Sequence, residues 1–168
     1  MAASGWNPNP DAVQRFSLQS RAETSEGPKT LPGQLYILLI EDNPADADLV
    51  REALQQNDVV GELIVISDGE SAIDFVQKFD AKPGEACPDL IILDLNLPRR
   101  PGMQVLEAIL LSGKCGLVPV AILSSSEAQQ DRQRALQLGA RGYFSKPARL
   151  DDFLNLGLAF KAMAGKIA

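Results

Sequence analysis

Five short segments from residue 35 onward have the apolar pattern of buried strands, and a segment with helical spacing of apolar residues follows each one. These strand-like segments cover residues 35–40, 63–66, 90–93, 118–123 and 142–145. Short, nearly continuous apolar runs are typical of a parallel sheet that is covered on both faces. Five strand–helix units in succession therefore predict an α/β fold with an open, doubly wound parallel sheet.

The first 34 residues have a different composition. They contain 10 apolar residues and seven glycine or proline residues, and their three acids balance their three bases. Because such a segment buries too little apolar surface to offset its ordering entropy, residues 1–34 are predicted to form a flexible N-terminal arm before a domain spanning residues 35–168. The alternative is a docking element for a partner or a second copy, built on the apolar side chains of the arm: Trp6, Val13, Phe16 and Leu18.

The overall composition excludes several classes of function. The chain has 168 residues, a formal charge of −6 and no histidine, which excludes a Ser-His-Asp triad, a histidine-ligated zinc ion and a histidine pH switch. The acidic balance argues against nucleic acid and anionic membranes as partners. The sequence shows neither a membrane-length apolar run nor a signal peptide, so a cytoplasmic location is expected. In that compartment, Cys87 and Cys115 are predicted to be reduced structural thiols, and the disfavoured alternative is a disulfide between them at one end of the sheet.

Polar side chains occur at the carboxyl ends of four of the predicted strands. Glu41 and Asp42 follow the first strand, Asp94 follows the third, and Ser124 and Lys146 follow the fourth and fifth. Because parallel strands all end at the same edge of a sheet, these five side chains are predicted to share one rim.

The three carboxylates of this rim are a candidate site for a hard divalent cation. Clustered carboxylates repel one another, and Mg²⁺ with oxygen ligands relieves that repulsion. A carboxylate beside the cation can attack phosphorus, while Lys146 and Ser124 would supply positive charge and a hydrogen-bond donor. The sequence contains no glycine-rich phosphate cradle at this position, so the site is suited to accept a phosphoryl group rather than to hold a nucleotide.

Four motifs at the strand ends resemble those of the receiver domain of two-component response regulators. They are Leu39-Ile-Glu-Asp-Asn-Pro44, Leu93-Asp-Leu-Asn-Leu-Pro98, Leu123-Ser-Ser-Ser126 and Tyr143-Phe-Ser-Lys-Pro147, and the likeness extends over about residues 35–165. The first two motifs are most similar to the stand-alone receivers that serve phytochrome histidine kinases. The resemblance implies a flavodoxin-like (βα)5 fold with strand order 2-1-3-4-5.

The resemblance also implies how a phosphoryl group and a metal ion would be held. Asp94 would be the phosphoacceptor and one ligand of Mg²⁺. Asp42 would bind the ion directly, Glu41 through water, and Asn96 through its backbone carbonyl group.

Three further residues would respond to phosphorylation, by the same resemblance. Ser124 would bond to a phosphoryl oxygen, and Lys146 would pair with the phosphoryl group. Tyr143 would be the aromatic switch whose rotamer follows Ser124. The peptide bond between Lys146 and Pro147 would be cis.

The resulting expectation is a signalling switch rather than a conventional enzyme. Asp94 would accept a phosphoryl group from a sensor histidine kinase or a phosphotransfer protein, and the chain would catalyse only its own phosphorylation and dephosphorylation. Because 22 residues follow Lys146, no output domain is expected. The output would be partner binding, relay, or a homodimer formed through the fourth helix, the fifth predicted strand and the fifth helix.

Two other classes of function remain open. One is a pseudo-receiver, an interaction module that uses the same fold without phosphorylation. The other is a small Mg²⁺-dependent phosphatase with an aspartyl nucleophile. Such phosphatases typically carry an acid–base aspartate two residues after the nucleophile, where this chain has Asn96.

Overall fold

Residues 11–19 and 33–165, which the computed structural model describes, form a six-stranded sheet with helices on both faces. The strands are β1 (Val13–Leu18), β2 (Leu35–Ile40), β3 (Gly61–Ile66), β4 (Leu90–Leu93), β5 (Val120–Ser124) and β6 (Gly142–Ser145). The helices are α1 (Pro44–Gln56), α2 (Gly69–Ala81), α3 (Gly102–Leu111), α4 (Gln129–Leu138) and α5 (Leu150–Ala164). Within these residues, none of the helices combines the length and the apolar character that a transmembrane span requires.

Strands β2 to β6 are the five predicted strands, and they confirm the predicted fold. The strand order is β1-β3-β2-β4-β5-β6, and without β1 this is the expected order 2-1-3-4-5. Neighbouring strands from β2 to β6 are all parallel. The register places Ile40 beside Leu93 and Leu93 beside Ile122. The residues that follow β2, β4 and β5 therefore lie next to one another at the carboxyl edge of the sheet.

Two apolar layers cover the sheet. Leu38 and Ile40 of β2 pack into a layer that includes residues of α2, α3 and α4. Ile37 and Leu39 pack into the other layer, with residues of α1, α5 and β1. This division follows the alternation of side chains along a strand, and both layers are buried because helices cover both faces.

Helices α1 and α5 approach each other closely at Gly157. A Cβ atom added there would lie 2.1 Å from the carbonyl oxygen of Ala53, so this helix spacing requires glycine. The side-chain amide of Asn57 bridges the two helices, because it donates to the carbonyl oxygens of Ala53 at 2.7 Å and Leu154 at 3.1 Å. These contacts hold α1, which begins at the candidate site, in a fixed position.

The structure corrects the prediction for part of the N-terminal arm. Strand β1 pairs antiparallel with β3, so six residues of the segment 1–34 form an edge strand and are not a flexible arm. Leu18 is buried in the core, and the Arg51 guanidinium lies 4.8 Å from the centre of the Phe16 ring. Polar and apolar residues alternate over residues 15–18, which suits a sheet edge, but this short run is hidden in the average composition of the arm. Trp6 and the other residues of the segments 1–10 and 20–32 lie outside the described residues.

Cys87 and Cys115 form a disulfide bond, so the prediction of two reduced thiols is wrong. Cys87 precedes β4, and Cys115 lies in the segment that leads into β5. Because β4 and β5 are parallel neighbours, these segments meet at the amino edge of the sheet, and the two Cα atoms are 5.7 Å apart. The disulfide is thus at the opposite edge from the candidate site.

Candidate functional site

Carboxylates from two loops meet at the carboxyl edge of the sheet. Glu41 and Asp42 follow β2, Asp94 follows β4, and one carboxylate oxygen of each lies within 4.8 Å of the others. Glu41 and Asp94 are buried, whereas Asp42 is exposed at the rim. The structure therefore brings together the three acidic residues that the sequence placed at the strand ends.

Lys146, which follows β6, reaches into the same cluster. Its Nζ atom lies 2.7 Å from Glu41 Oε2, 2.9 Å from Asp46 Oδ2 and 2.9 Å from Asp94 Oδ2. Burial lowers the pKa of Lys146, but the three neighbouring carboxylates outweigh this effect and raise its pKa above the usual value. Lys146 is therefore a charged ammonium group held directly against the Asp94 carboxylate.

Glu41 is a buried carboxylate that contacts a backbone N–H group and the Lys146 ammonium group. Burial raises the pKa of Glu41 to about 7, and the contact with Lys146 only partly opposes this rise. The Oε1 atom accepts a hydrogen bond from the backbone N–H of Asn43 at 3.0 Å. The Oε2 atom contacts Lys146 as an ion pair, but no donor in the described residues gives it a well-directed hydrogen bond. The Lys146 ammonium group, 2.7 Å away, is thus the charged partner of this buried atom.

The donor set of the cluster fits Mg²⁺. All three groups are carboxylates, which are the ligands that hard divalent cations prefer. Besides burial, the neighbouring charge of Asp94 raises the pKa of Glu41, and a divalent cation would offset that repulsion between the two carboxylates. The exposed side chain of Asp42 leaves one side of the cluster open to water, and Mg²⁺ typically keeps several water ligands.

The loop after β4 holds the Asp94 side chain. Asp94 Oδ1 accepts a hydrogen bond from the backbone N–H of Asn96 at 3.1 Å, and Oδ2 accepts one from Lys146 at 2.9 Å. The loop then folds back so tightly that a Cβ atom on Gly102 would lie 2.3 Å from the Asp94 carbonyl oxygen. Asn96 is exposed, and its side chain reaches Ser125 Oγ at 3.4 Å.

Ser124 and Tyr143 are connected through Ser126. Ser124 is buried at the end of β5, and its Oγ atom accepts a hydrogen bond from the backbone N–H of Ser126 at 3.2 Å. The Tyr143 hydroxyl group donates to the carbonyl oxygen of Ser126 at 2.9 Å. The Tyr143 ring is buried, and the Arg132 guanidinium lies 5.7 Å from its centre. The two predicted switch residues thus both form hydrogen bonds with the backbone of Ser126.

The expectation of a cis bond between Lys146 and Pro147 is wrong, because the structure has no cis peptide bond among its described residues. The trans form is intrinsically favoured by about 0.5–1 kcal/mol even before proline. The backbone N–H of Lys146 donates to the carbonyl oxygen of Ser124 at 2.9 Å. This bond extends the pairing of β5 with β6 and places Lys146 beside the site.

Asp46 is a residue of the site that the sequence interpretation missed. It lies in the first turn of α1, where an acidic residue is ordinarily explained by the helix dipole. As the sequence indicated, Asn43 and Pro44 begin this helix, and the Asn43 side chain accepts a hydrogen bond from the N–H of Ala45 at 2.9 Å. This cap orients the first turn so that Asp46 faces Lys146, 100 residues further along the chain.

Comparisons with known proteins identify the family. The family model described as the response regulator receiver domain matches residues 37–156, well over half of the chain. The response regulator Rcp1 of Synechocystis sp. is 35% identical over 120 residues, which cover 71% of this chain and 82% of Rcp1.

Solved structures agree with the sequence comparison. The structure of the Mn²⁺-bound form of Rcp1 matches this chain with a TM-score of 0.69 and 31% sequence identity. The structure of the phosphorylated cyanobacterial phytochrome response regulator RcpA matches it with a TM-score of 0.72 and 31% sequence identity. Each comparison covers 80% of this chain and 96% of the solved chain. The chain therefore belongs to the receiver domain family of two-component response regulators and is related to the phytochrome response regulators.

Proposed function

We propose that this protein is a phosphorylation-dependent switch in which Asp94 accepts a phosphoryl group from a sensor histidine kinase or a phosphotransfer protein. The observation that carries the proposal is the position of the Lys146 ammonium group, 2.9 Å from the Asp94 carboxylate and within a cluster of three acids. The similarity to Rcp1 and RcpA favours a phytochrome-type kinase as the donor. Such a partner implies a cytoplasmic location.

Glu41, Asp42 and Asp94, with the backbone carbonyl group of Asn96, would hold Mg²⁺. When bound, the ion offsets the repulsion among the carboxylates and the negative charge that develops on the transferring phosphoryl group. The all-carboxylate donor set and the repulsion between Glu41 and Asp94, which helps raise the pKa of Glu41, support this assignment. A related protein, Rcp1, has been crystallised in an Mn²⁺-bound form.

The side chains of the site then have distinct roles in phosphoryl transfer. An Asp94 oxygen forms a bond to phosphorus while the P–N bond of the donor phosphohistidine breaks, and the bonding electrons return to the imidazole nitrogen. Lys146 already contacts Asp94 and can pair with the phosphoryl oxygens after transfer. Ser124, at the end of the neighbouring strand, supplies a hydroxyl donor.

The same transfer changes the loop after β5. When the Ser124 hydroxyl group turns toward the phosphoryl group, it gives up the hydrogen bond from the Ser126 N–H, and Ser126 moves together with the Tyr143 hydroxyl that it holds. The surface formed by α4, β6 and α5 then changes its affinity for a partner or a second copy. Phosphorylation of Asp94 thus shifts the equilibrium between two conformations of the loop after β5.

Small-molecule phosphorylation tests this proposal without a known kinase. Incubation with acetyl phosphate and Mg²⁺ should add about 80 Da, one phosphoryl group, to the intact mass of the protein. Asp94→Asn should abolish this gain. Glu107→Gln is the matched control, because it removes a negative charge on α3 from an exposed ion pair with Arg134 of α4.

Two other results would redirect the assignment. A wild-type protein that gains no mass at any Mg²⁺ concentration would be a pseudo-receiver that binds partners without phosphorylation. Continuous hydrolysis of a phosphate ester at many turnovers per site would instead identify an aspartyl phosphatase.

A further inference from the structure

The ammonium group of Lys146 is shared between the candidate phosphoacceptor and a residue outside the metal cluster. Its Nζ atom donates to Asp94 Oδ2 and to Asp46 Oδ2, each at 2.9 Å. The metal-compatible cluster among the described residues comprises Glu41, Asp42 and Asp94. Asp46 approaches Lys146 from the first turn of α1, and the mechanism proposed above does not use it.

We propose that Asp46 is a positioning residue that competes with the phosphoryl group for Lys146 and so sets how tightly Lys146 holds that group. This inference rests on the proposed function, because the competition arises only when Asp94 carries a phosphoryl group. The competition is direct, because Lys146 has three N–H donors and its Nζ atom already contacts three carboxylates, those of Glu41, Asp46 and Asp94.

Asp46 is the partner that Lys146 can release at least cost. The side chain of Glu41 is 1% exposed, so its carboxylate would lose the ion pair without gaining water. The side chain of Asp46 is 23% exposed, so water can solvate its carboxylate when Lys146 turns away. Phosphorylation would therefore shift Lys146 from Asp46 toward the phosphoryl oxygens, and the strength of the Asp46 contact opposes this shift.

Neutralising Asp46 should consequently tighten the binding of a phosphoryl group. The chain offers a matched control in Asp48, which lies on the same helix, has a side chain that is 66% exposed and pairs with Arg51 at 3.0 Å. Asp48→Asn removes the same charge from α1 without touching Lys146. Asp46→Glu retains the charge and should restore wild-type behaviour, which distinguishes a charged contact from a merely structural role.

The probe is beryllofluoride, a stable mimic of a phosphoryl group, titrated by calorimetry in the presence of Mg²⁺. Asp46→Asn should lower the dissociation constant about threefold or more, the range expected for a partly exposed ion pair. Asp48→Asn and Asp46→Glu should leave it near the wild-type value. Urea unfolding of each variant establishes that it is folded.

The possible contrary results can be told apart. An unchanged or weaker affinity in Asp46→Asn overturns the inference, and so does an equal gain in Asp48→Asn, which would indicate a general charge effect. If the wild type binds beryllofluoride and is phosphorylated by acetyl phosphate, such a result leaves the proposed function intact. A wild type that does neither overturns the proposed function and this inference together.

Discussion

Reduction of the disulfide between Cys87 and Cys115 should lower the stability of the domain substantially. The bond joins positions that are 28 residues apart. In the chain-entropy description, a cross-link of this span removes roughly 12 cal/mol/K from the unfolded ensemble, or about 3.5 kcal/mol at room temperature. For a domain of this size, that free energy corresponds to a decrease of about 7–14 °C in melting temperature.

The assay is urea unfolding with and without dithiothreitol, together with a thiol count in the unreduced, denatured protein. The double variant Cys87→Ala, Cys115→Ala should unfold at the same urea concentration under both conditions, close to the reduced wild type. Because the bond lies at the amino edge of the sheet, phosphorylation of Asp94 should be unaffected by reduction. Two titratable thiols in the unreduced wild type, or unfolding midpoints that are identical with and without dithiothreitol, would refute the reasoning.

Three further predictions concern the metal cluster and the packing of the helices. Millimolar Mg²⁺ should raise the melting temperature of the wild type, because it offsets the repulsion among the clustered carboxylates, and Asp42→Asn should remove most of this increase. Equal melting curves with and without Mg²⁺ would contradict the metal site. The Mg²⁺ affinity, measured by calorimetry, should rise with pH up to about 7 and then become constant. The reason is that the pKa of Glu41 is raised to about 7, and a bound cation must displace the proton of this carboxyl group. An affinity that does not vary below pH 7 would exclude Glu41 as a ligand. Gly157→Ala should lower the free energy of unfolding, measured by urea denaturation, by about 1–3 kcal/mol, because the added methyl group would clash with the Ala53 carbonyl oxygen. Gly165→Ala is the control, because a Cβ atom there has its nearest neighbour at 3.4 Å, and its stability should be close to that of the wild type.

The five strand–helix units could be predicted because each is encoded locally. The apolar run of β2 and the helix signals of Asn43 and Pro44 are adjacent in the chain, and the structure has β2 and the start of α1 at these positions. The carboxyl edge of a parallel sheet is shared by all its strands, so the sequence alone also predicts that residues at the strand ends lie together. Glu41, Asp42 and Asp94 are within reach of one another for this reason.

Contacts between distant segments were decided by the tertiary structure. The short sequence of β1 forms a strand because it pairs with the edge of β3, a contact between segments that are distant in the chain. The proximity of Cys87 to Cys115 depends on the parallel pairing of β4 with β5.

The contact between Asp46 and Lys146 shows the same dependence most clearly. An aspartate in the first turn of a helix is a common local feature, and nothing near it in the sequence indicates a lysine 100 residues away. The amino acid sequence by itself determined the strands, the helices and the edge at which the polar residues gather, because these follow from short-range periodicity. The folded sheet determined which charges touch, because that depends on how separate strands and helices pack in three dimensions.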